Sequence, residues 1–459
     1  MKKTYRPYEP KQSFLLPPSP LDWLPDGHLA RFILDVVERL NLRSINAYYE
    51  REQRGYPPHH PQMMVALLLY GYCVGVPSSR QIETRTHEDV AFRVIAGNTH
   101  PDHTCISEFR RIHLNALAEL FLQVLRLCQK AGLVKLGHVA IDGTKLNANA
   151  SKHKAMSYER MKKEDEKLRQ KVTELLRAAE QADTDEDAQY GKNRRGDELP
   201  DELQRAEDRR ERIQQLMAEL EAEAAEQHES SPPDDDDDAP PSGPAPLPSH
   251  KIPAEKDGTP KPKAQRNFTD GDSRIMKSGD GFIQGYNCQT AVDEAHQIIV
   301  AQAVTNQPPD VEHLIPMIDQ IVFNCGEAPR NLSADNGYLS EANVVGALQR
   351  GVDPHIATGR RPHGEPPPTV RGRPRSDLTL KQSMARKLAT RRGAAVYARR
   401  KVIVEPPFGQ IKQARGFRQF LLRGLTNVSG EWSLIALTHN LLKLYRALVV
   451  VPRTSAALV

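Results

Sequence analysis

Cysteine is scarce and scattered in this 459-residue chain: Cys73, Cys105, Cys128, Cys288 and Cys325, with no CxxC pair. That spacing supports neither a disulfide framework nor a zinc site and points to reduced thiols. Long apolar runs are missing as well. The longest, Met63 to Val76, is shorter than the ~20 residues that span a bilayer and reads as a buried helix. The C-terminal "LIALTHNLLKLYRALVVV" is interrupted by His439, Asn440, Lys443 and Arg446, which makes it an amphipathic core helix. The opening "MKKTYRPYEPKQSF" has no apolar h-region, so neither a signal peptide nor a membrane partner is expected, and the cytoplasm is the expected compartment. Hydrophobic residues at 39% and charged residues at 27% suit a globular protein of two or three domains. Acids are the third scarcity, and a local one. From Gly351 to Gly424, 17 Lys+Arg face only 4 Asp+Glu, a net +13 in a chain whose total is +4. Such an excess fits a polyanion, nucleic acid above all.

Residues 1–131 read as a helical domain. "HLARFILDVVERL" and "HTCISEFRRIHLNALAELFLQVLRLCQKAG" carry apolar residues at helical spacing, with Thr104 or Ser107 as a cap and Gly132 as a stop. Two helices split by "GNTHPDH" could be a DNA-reading pair or part of a plain bundle. Residues 152–265 read as an insertion. It holds two charged helices, with narrow stripes Leu168/Val172/Leu175 and Ile213/Leu216/Met217/Leu220, that fit an antiparallel helical hairpin. A Pro- and Asp-rich linker too poor in apolar residues to fold follows them. Residues 132–151 and 266–450 then make one interrupted domain, with 451–459 as a tail. "GFIQGYNCQTAVD" and "QIIVAQAVTN" read as adjacent strands, "NLSADNGYLS" and "GVDPHIAT" as further strands, with helices between them. Asp310 reads as the cap of the helix after the strand pair. The order is α/β.

Three acids stand where chemistry would need them. In "HVAIDGTKLNANAS" Asp142 ends a strand of core character, and a buried carboxylate is costly unless a positive partner meets it. Asp335 ends a later strand, and Glu405 opens the helix "EPPFGQIKQA", with Pro406 in its first turn. Hard divalent cations bind one or two protein carboxylates plus water and substrate phosphate, and two such ions can clamp a phosphodiester. Plainer readings stand beside this one: Asp142 and Asp335 as turn residues, Glu405 as an acid complementing a helix dipole. Asp270, Asp272, Asp280, Asp293 and Glu431 are rival acids in the same region. On residues alone, the chain reads as a metal-dependent enzyme acting on nucleic acid.

"AIDGTKLNANAS", "NFTDGDSRIMKSGDGFIQGYNCQTAVD", "SADNGYLSE" and "VEPPFGQIKQARGFRQFLLRGL" followed by "GEWSLIALTHNLLKL" resemble, in order, the motifs of bacterial insertion-sequence transposases of the Asp-Asp-Glu (DDE) type. "HPQMMVALLLYGYCVGVPSSRQIE" and "FRRIH" are similar to that family's N-terminal domain. The resemblance implies a ribonuclease-H-like catalytic domain, a mixed sheet flanked by helices, beside the all-α N-terminal domain. It implies catalysis and metal binding by Asp142, Asp335 and Glu405, with Mg²⁺ or Mn²⁺, two ions, as cofactor. Terminal inverted repeats and target DNA are the implied partners, a homodimer the implied end complex, and a bacterial nucleoid-associated cytoplasm the implied setting. Lys412 lies seven positions after Glu405, as in the family pattern, whereas four residues separate Arg400 from Glu405. Either Lys401 takes the basic role there or the helix start is shifted. Lys412, Arg415 and Arg418, spaced by three, make a candidate phosphate track with Arg400 and Lys401. Gly143 would let the backbone turn beside a phosphate, and Trp432 and His439 read as core or helix-surface residues. The expected activity is cutting at element ends by metal-activated water and joining of the 3′-hydroxyl to target DNA. A nuclease without strand transfer and a non-catalytic DNA-binding derivative are the rivals.

Overall fold

Among the described residues, seven helices precede the first strand: α1 (Leu29–Arg39), α2 (Arg43–Tyr49), α3 (Pro61–Cys73), α4 (Ser79–Glu88), α5 (Val90–Ile95), α6 (His103–Ile112) and α7 (Leu114–Lys130). The computed structural model describes residues 19–450 except 52–56, 191–200, 230–246, 280, 360–369, 371, 374 and 376, and gives no side chains for 178–190, 201–203 and 229. The first half of the Pro/Asp-rich linker (230–246), the 451–459 tail and much of the basic run between 360 and 376 therefore lie outside the described residues. The second half of the linker is folded, against expectation: Ile252 is buried with Leu220 and Ala224, and the Glu255 N–H donates to Thr259 O at 2.7 Å. The chain divides into two compact units, Met1–Gln123 with Leu441–Val459, and Val124–Asn440.

In the first unit the long apolar run forms α3. Pro61 occupies its first turn, where a missing N–H costs nothing, and every residue from Met64 to Cys73 is buried. α6 is capped by Asp102, not by Thr104 or Ser107: its Oδ1 accepts from the N–H of Thr104 and of Cys105, both at 2.8 Å. Asp binds two exposed amides at once there, which a hydroxyl inside the helix cannot do.

The second unit is built on β1 (His138–Asn147), β2 (Ala155–Ser157), α8 (Tyr158–Tyr190), α9 (Asp201–Glu229), β3 (Gln265–Asn267), β4 (Arg274–Ser278), β5 (Gly281–Asp293) and β6 (Ile299–Thr305). Then come α10 (Leu314–Cys325), β7 (Asn331–Ala334), α11 (Glu341–Gln349), β8 (Asp353–Ile356), α12 (Leu380–Ala389), α13 (Arg391–Gly409) and α14 (Leu425–Tyr445). Six strands form one mixed sheet in the order β4-β5-β1-β7-β8, with β6 also paired to β5. β1 is antiparallel to β5 and parallel to β7, so it is the seam between the two halves. β2 and β3 pair separately. α8 and α9 meet through Leu168, Val172, Ile213 and Leu216, and ion pairs Arg209–Glu164 (3.2 Å) and Arg210–Asp165 (3.1 Å) border that seam.

Two local expectations fail on strand and helix ends. β1 does not stop at Asp142; it continues to Asn147 in register with β5, Asp142 opposite Thr290 and Gly143 opposite Gln289. Gly143 is thus a strand residue and makes no turn. The helix carrying Glu405 does not open there either. α13 begins at Arg391, where Thr390 Oγ1 accepts from the Gly393 N–H at 3.1 Å, and Pro406 and Pro407 lie inside it. A proline at 406 removes the amide that would bond the Val402 carbonyl. Gln297 replaces it, donating from Nε2 to Val402 O at 2.9 Å. β5, β6, β7 and β8 fall where their patterns suggest; β4 and α12 went unread.

Candidate active site

The β1–β7 ladder runs from His138↔Asn331 to Ala140↔Ser333 and then ends. Carried two residues further, the same register sets Asp142 beside Asp335, which follows the last residue of β7. Asp142 side-chain Oδ2 accepts from Arg400 of α13 at 2.9 Å, and its Oδ1 from the Gly143 N–H at 2.9 Å. Burial pushes the Asp142 carboxyl up to about 6; Arg400 opposes that shift and the Asp335 charge adds to it. Asp335 accepts from the Gly337 N–H at 2.7 Å. The phenol of Tyr397, also on α13, is raised by burial and feels Arg400, Asp335 and Asp142 in turn. Asp142, Asp335, Tyr397 and Arg400 therefore form one constellation, and the positive partner demanded by a buried strand aspartate is the Arg400 guanidinium.

Glu405 does not join it. It is exposed on α13, five residues beyond Arg400, so the two side chains leave the helix on different faces. Among the described residues no group of three His, Cys, Asp or Glu side chains lies close enough to hold a metal ion. Two carboxylates are nevertheless a sufficient protein contribution for Mg²⁺, which keeps water and takes phosphate oxygens. The surroundings fit a cation: two acids crowded at a strand end, and the buried Thr290 hydroxyl opposite Asp142, which has no protein hydrogen-bond partner.

The basic residues fare unevenly. Arg400 is largely buried, at 12% side-chain exposure, and is bound to Asp142 rather than offered to a phosphate. Lys401 is exposed and lines a 500 Å³ cavity with Asp335, Asn336 and Tyr397. Lys412, Arg415 and Arg418 share no helix face. α13 gives way to a π-helical turn at Gln410–Ala414, and Gly416 (φ +77°) breaks the chain direction before Arg418. Arg415 is buried, donating to Thr438 Oγ1 at 2.7 Å and Ile435 O at 3.1 Å, which corrects its reading as a phosphate contact. Lys412 donates from Nζ to Lys145 O at 3.1 Å, and burial lowers its ammonium below the usual lysine range. Arg418 is exposed.

The rival acids hold structure. Asp293 accepts from the N–H groups of Lys135, Leu136 and Ala295. Fully buried Glu431 accepts from Leu421 and Leu422, Asp270 from Tyr286 and Gly424, and Asp272 from Leu425. Asp280 lies outside the described residues. Trp432 and His439 are buried, as their patterns suggest.

The missed residue is Asp310. Its side chain makes no cap bond. Its Oδ1 instead accepts from Asn287 Nδ2 (2.7 Å), Gln289 Nε2 (2.7 Å) and Lys145 Nζ (3.3 Å). Position before a helix hid this; the alternate polar residues Asn287 and Gln289, both fully buried in β5, were the available signal.

Residues 249–441 match the family model of the transposase DDE domain. A DDE domain carries the ribonuclease-H-like fold, the class to which this mixed sheet flanked by helices corresponds. Residues 18–111 match the family model of a transposase domain (DUF772). The chain belongs to the insertion-sequence transposases of the DDE type. No curated protein and no solved structure matches it. The DDE match covers Asp335 and Glu405 but starts after Asp142. β1 nevertheless pairs on both sides with matched strands.

Proposed function

We propose that this DNA transposase binds insertion-element ends, cuts phosphodiester bonds there and joins the freed 3′-hydroxyl to target DNA. The observation that carries the reading is the meeting of Asp142 and Asp335 at the seam of the sheet, with a cationic partner in place. Asp142 and Asp335 would hold Mg²⁺ or Mn²⁺; Glu405, which stands exposed and apart from them, is the family's third acid and would serve a second ion only if it were brought to them. Bound there, the cations would lower the pKa of a water nucleophile and neutralise charge on the phosphate. Tyr397 and Arg400 orient Asp142 from α13, and Arg400 supplies the compensating charge while the carboxylates await a cation. Lys401 and Arg418, both exposed, contact the DNA backbone. Residues 1–131 hold the element end, 132–151 with 266–450 do the chemistry, and 152–265 is an insertion between them. Pairing two ends calls for a homodimer, and the setting is the bacterial cytoplasm.

The test is cleavage of a labelled element end with Mg²⁺, comparing the parent with Asp142→Asn, Asp335→Asn and Glu405→Gln, then transfer of that end into a plasmid. All three variants should bind DNA and fail to cut. A parent that binds DNA without cutting in Mg²⁺ or Mn²⁺ establishes the non-catalytic reading, and cutting without transfer establishes the nuclease reading. Normal cutting by Glu405→Gln alone reduces the centre to the two aspartates.

A further inference from the structure

The spacing of Asp142 and Asp335 is not fixed by the sheet. Backbone pairing between their strands stops at Ala140↔Ser333, two residues short of both acids. Something else must span the gap, because two crowded carboxylates repel each other and would drift apart.

Asp310 lies in that gap. A Cβ placed on Gly143, the residue after Asp142, would fall 2.9 Å from Asp310 Oδ1 and 2.5 Å from Gln289 Nε2. A Cβ placed on Gly337, two residues after Asp335, would fall 3.5 Å from Asp310 Oδ2. One carboxylate thus reaches the chain immediately past each aspartate, and the contact at Gly143 depends on glycine, whereas the one at Gly337 is an ordinary van der Waals contact. Gly143 has no positive φ, so close approach rather than backbone conformation explains it. Side chains alternate along β1, which puts Gly143 and Lys145 on the face away from Asp142. On that face Asp310 collects Lys145, Asn287 and Gln289, and Gln289 Oε1 accepts from the buried Tyr338 hydroxyl beyond Asp335. The chain of contacts runs from β1 through Asp310 and Gln289 to the segment after β7.

We infer that Asp310 is a positioning residue, a wedge that sets the distance between Asp142 and Asp335 and so their capacity to share a cation. The inference rests on the metal-dependent reading proposed above, and its observations are contacts between protein atoms. Replacing Asp310 with Ala removes the wedge and takes one acceptor from each of Lys145, Asn287 and Gln289. Asp310→Asn keeps the size and one acceptor oxygen. Gly143→Ala pushes on the wedge from the other side.

The test uses the full-length protein and two readouts besides cutting. Hydrogen–deuterium exchange without metal should rise in Asp310→Ala across 142–147 and 335–339. Mn²⁺ affinity, measured by calorimetry, should fall about tenfold or more, the usual cost of losing a partner that orients ligands. Gly143→Ala should do the same, and Asp310→Asn should restore most of the affinity. Faster exchange confined to 311–313, with Mn²⁺ affinity unchanged, would mean that Asp310 is only a helix-start residue and would overturn the inference. A parent that binds Mn²⁺ but cuts no element end removes the proposed chemistry, and exchange and affinity still decide the role of Asp310. A parent that binds no Mn²⁺ removes both.

Discussion

Two sets of acids in the second unit are treated differently by the fold. Asp293, Glu431, Asp270 and Asp272 accept from backbone N–H groups that belong to other segments. Asp293, Asp270 and Asp272 join parts of the chain more than 150 residues apart, and Glu431 fastens the nearby loop at Leu421 and Leu422 to α14. Asp142 and Asp335 accept from amides one and two residues away, and the rest of their environment is a guanidinium and each other. The first set is satisfied by groups that cannot leave. The second is held by a side chain, and burial destabilises its charged form enough to set the Asp142 carboxyl near 6. A buried acid that the backbone satisfies contributes stability, whereas one paired with a side chain and shifted toward neutral pH is a candidate for chemistry.

The largest effect should come from the second set. Asp142→Asn or Asp335→Asn should slow end cleavage by about 10³-fold or more, since several kcal/mol of charge stabilisation are lost at ~1.4 kcal/mol per decade. Each should leave the Tm within a few degrees, and a collapse of Tm instead would erase the distinction between the sets. Glu431→Ala should do the reverse and unfold the protein more easily, by about 2–3 kcal/mol in denaturant titration, because the amides of Leu421 and Leu422 lose a buried charged acceptor. A cutting rate that falls with unchanged stability in Glu431→Ala would move it into the first rank of functional candidates. Arg400→Gln should cost about 2 kcal/mol without metal, less than a fully buried pair would, as it leaves Asp142 and Asp335 without a counter-charge. Mn²⁺ should raise the Tm of this variant more than that of the parent. Equal shifts would show that Arg400 and a cation do not compete for the same carboxylate.

What was legible in the sequence follows the same physical division. Strands buried on both faces and bounded by turn residues, as β5 and β6 are, announce themselves, and so do the strands leading to Asp142 and Asp335. Element ends were poorly legible because local signals compete there. Gly143 reads as a turn residue when only its neighbours are known, yet Asp310 and Gln289, distant in sequence, are what require glycine. Pro406 reads as a helix start, and only Gln297, more than a hundred residues earlier, shows how a mid-helix proline is tolerated. Arg415 looks like its neighbours Lys412 and Arg418 until α14 is seen to bury it. Asp310 was hidden for the same reason: its partners come from β1 and β5.

The smallest expected effect extends the contrast to a base on β8, next to β7 in the sheet. Burial and, after it, nearby Lys387 hold His355 down to about 4, so its imidazole is neutral in the folded state near neutral pH. Its Nδ1 pairs with the Asp353 carbonyl at 3.1 Å, a fixed backbone partner. Unfolded histidine titrates near 6.5. Between those values the unfolded chain binds more protons than the folded one, so stability rises with pH across that window and is lost as pH falls from about 6.5 to about 4. The loss should be about 1–2 kcal/mol, a discounted share of ~1.4 kcal/mol per unit. Chemical denaturation at pH 4.5 and 7.5 measures it, with His355→Gln as the control that should flatten this part of the slope. A slope unchanged in His355→Gln would mean that the proton is taken up elsewhere, with His138, also lowered by burial against the opposing pull of Glu294, next to be replaced.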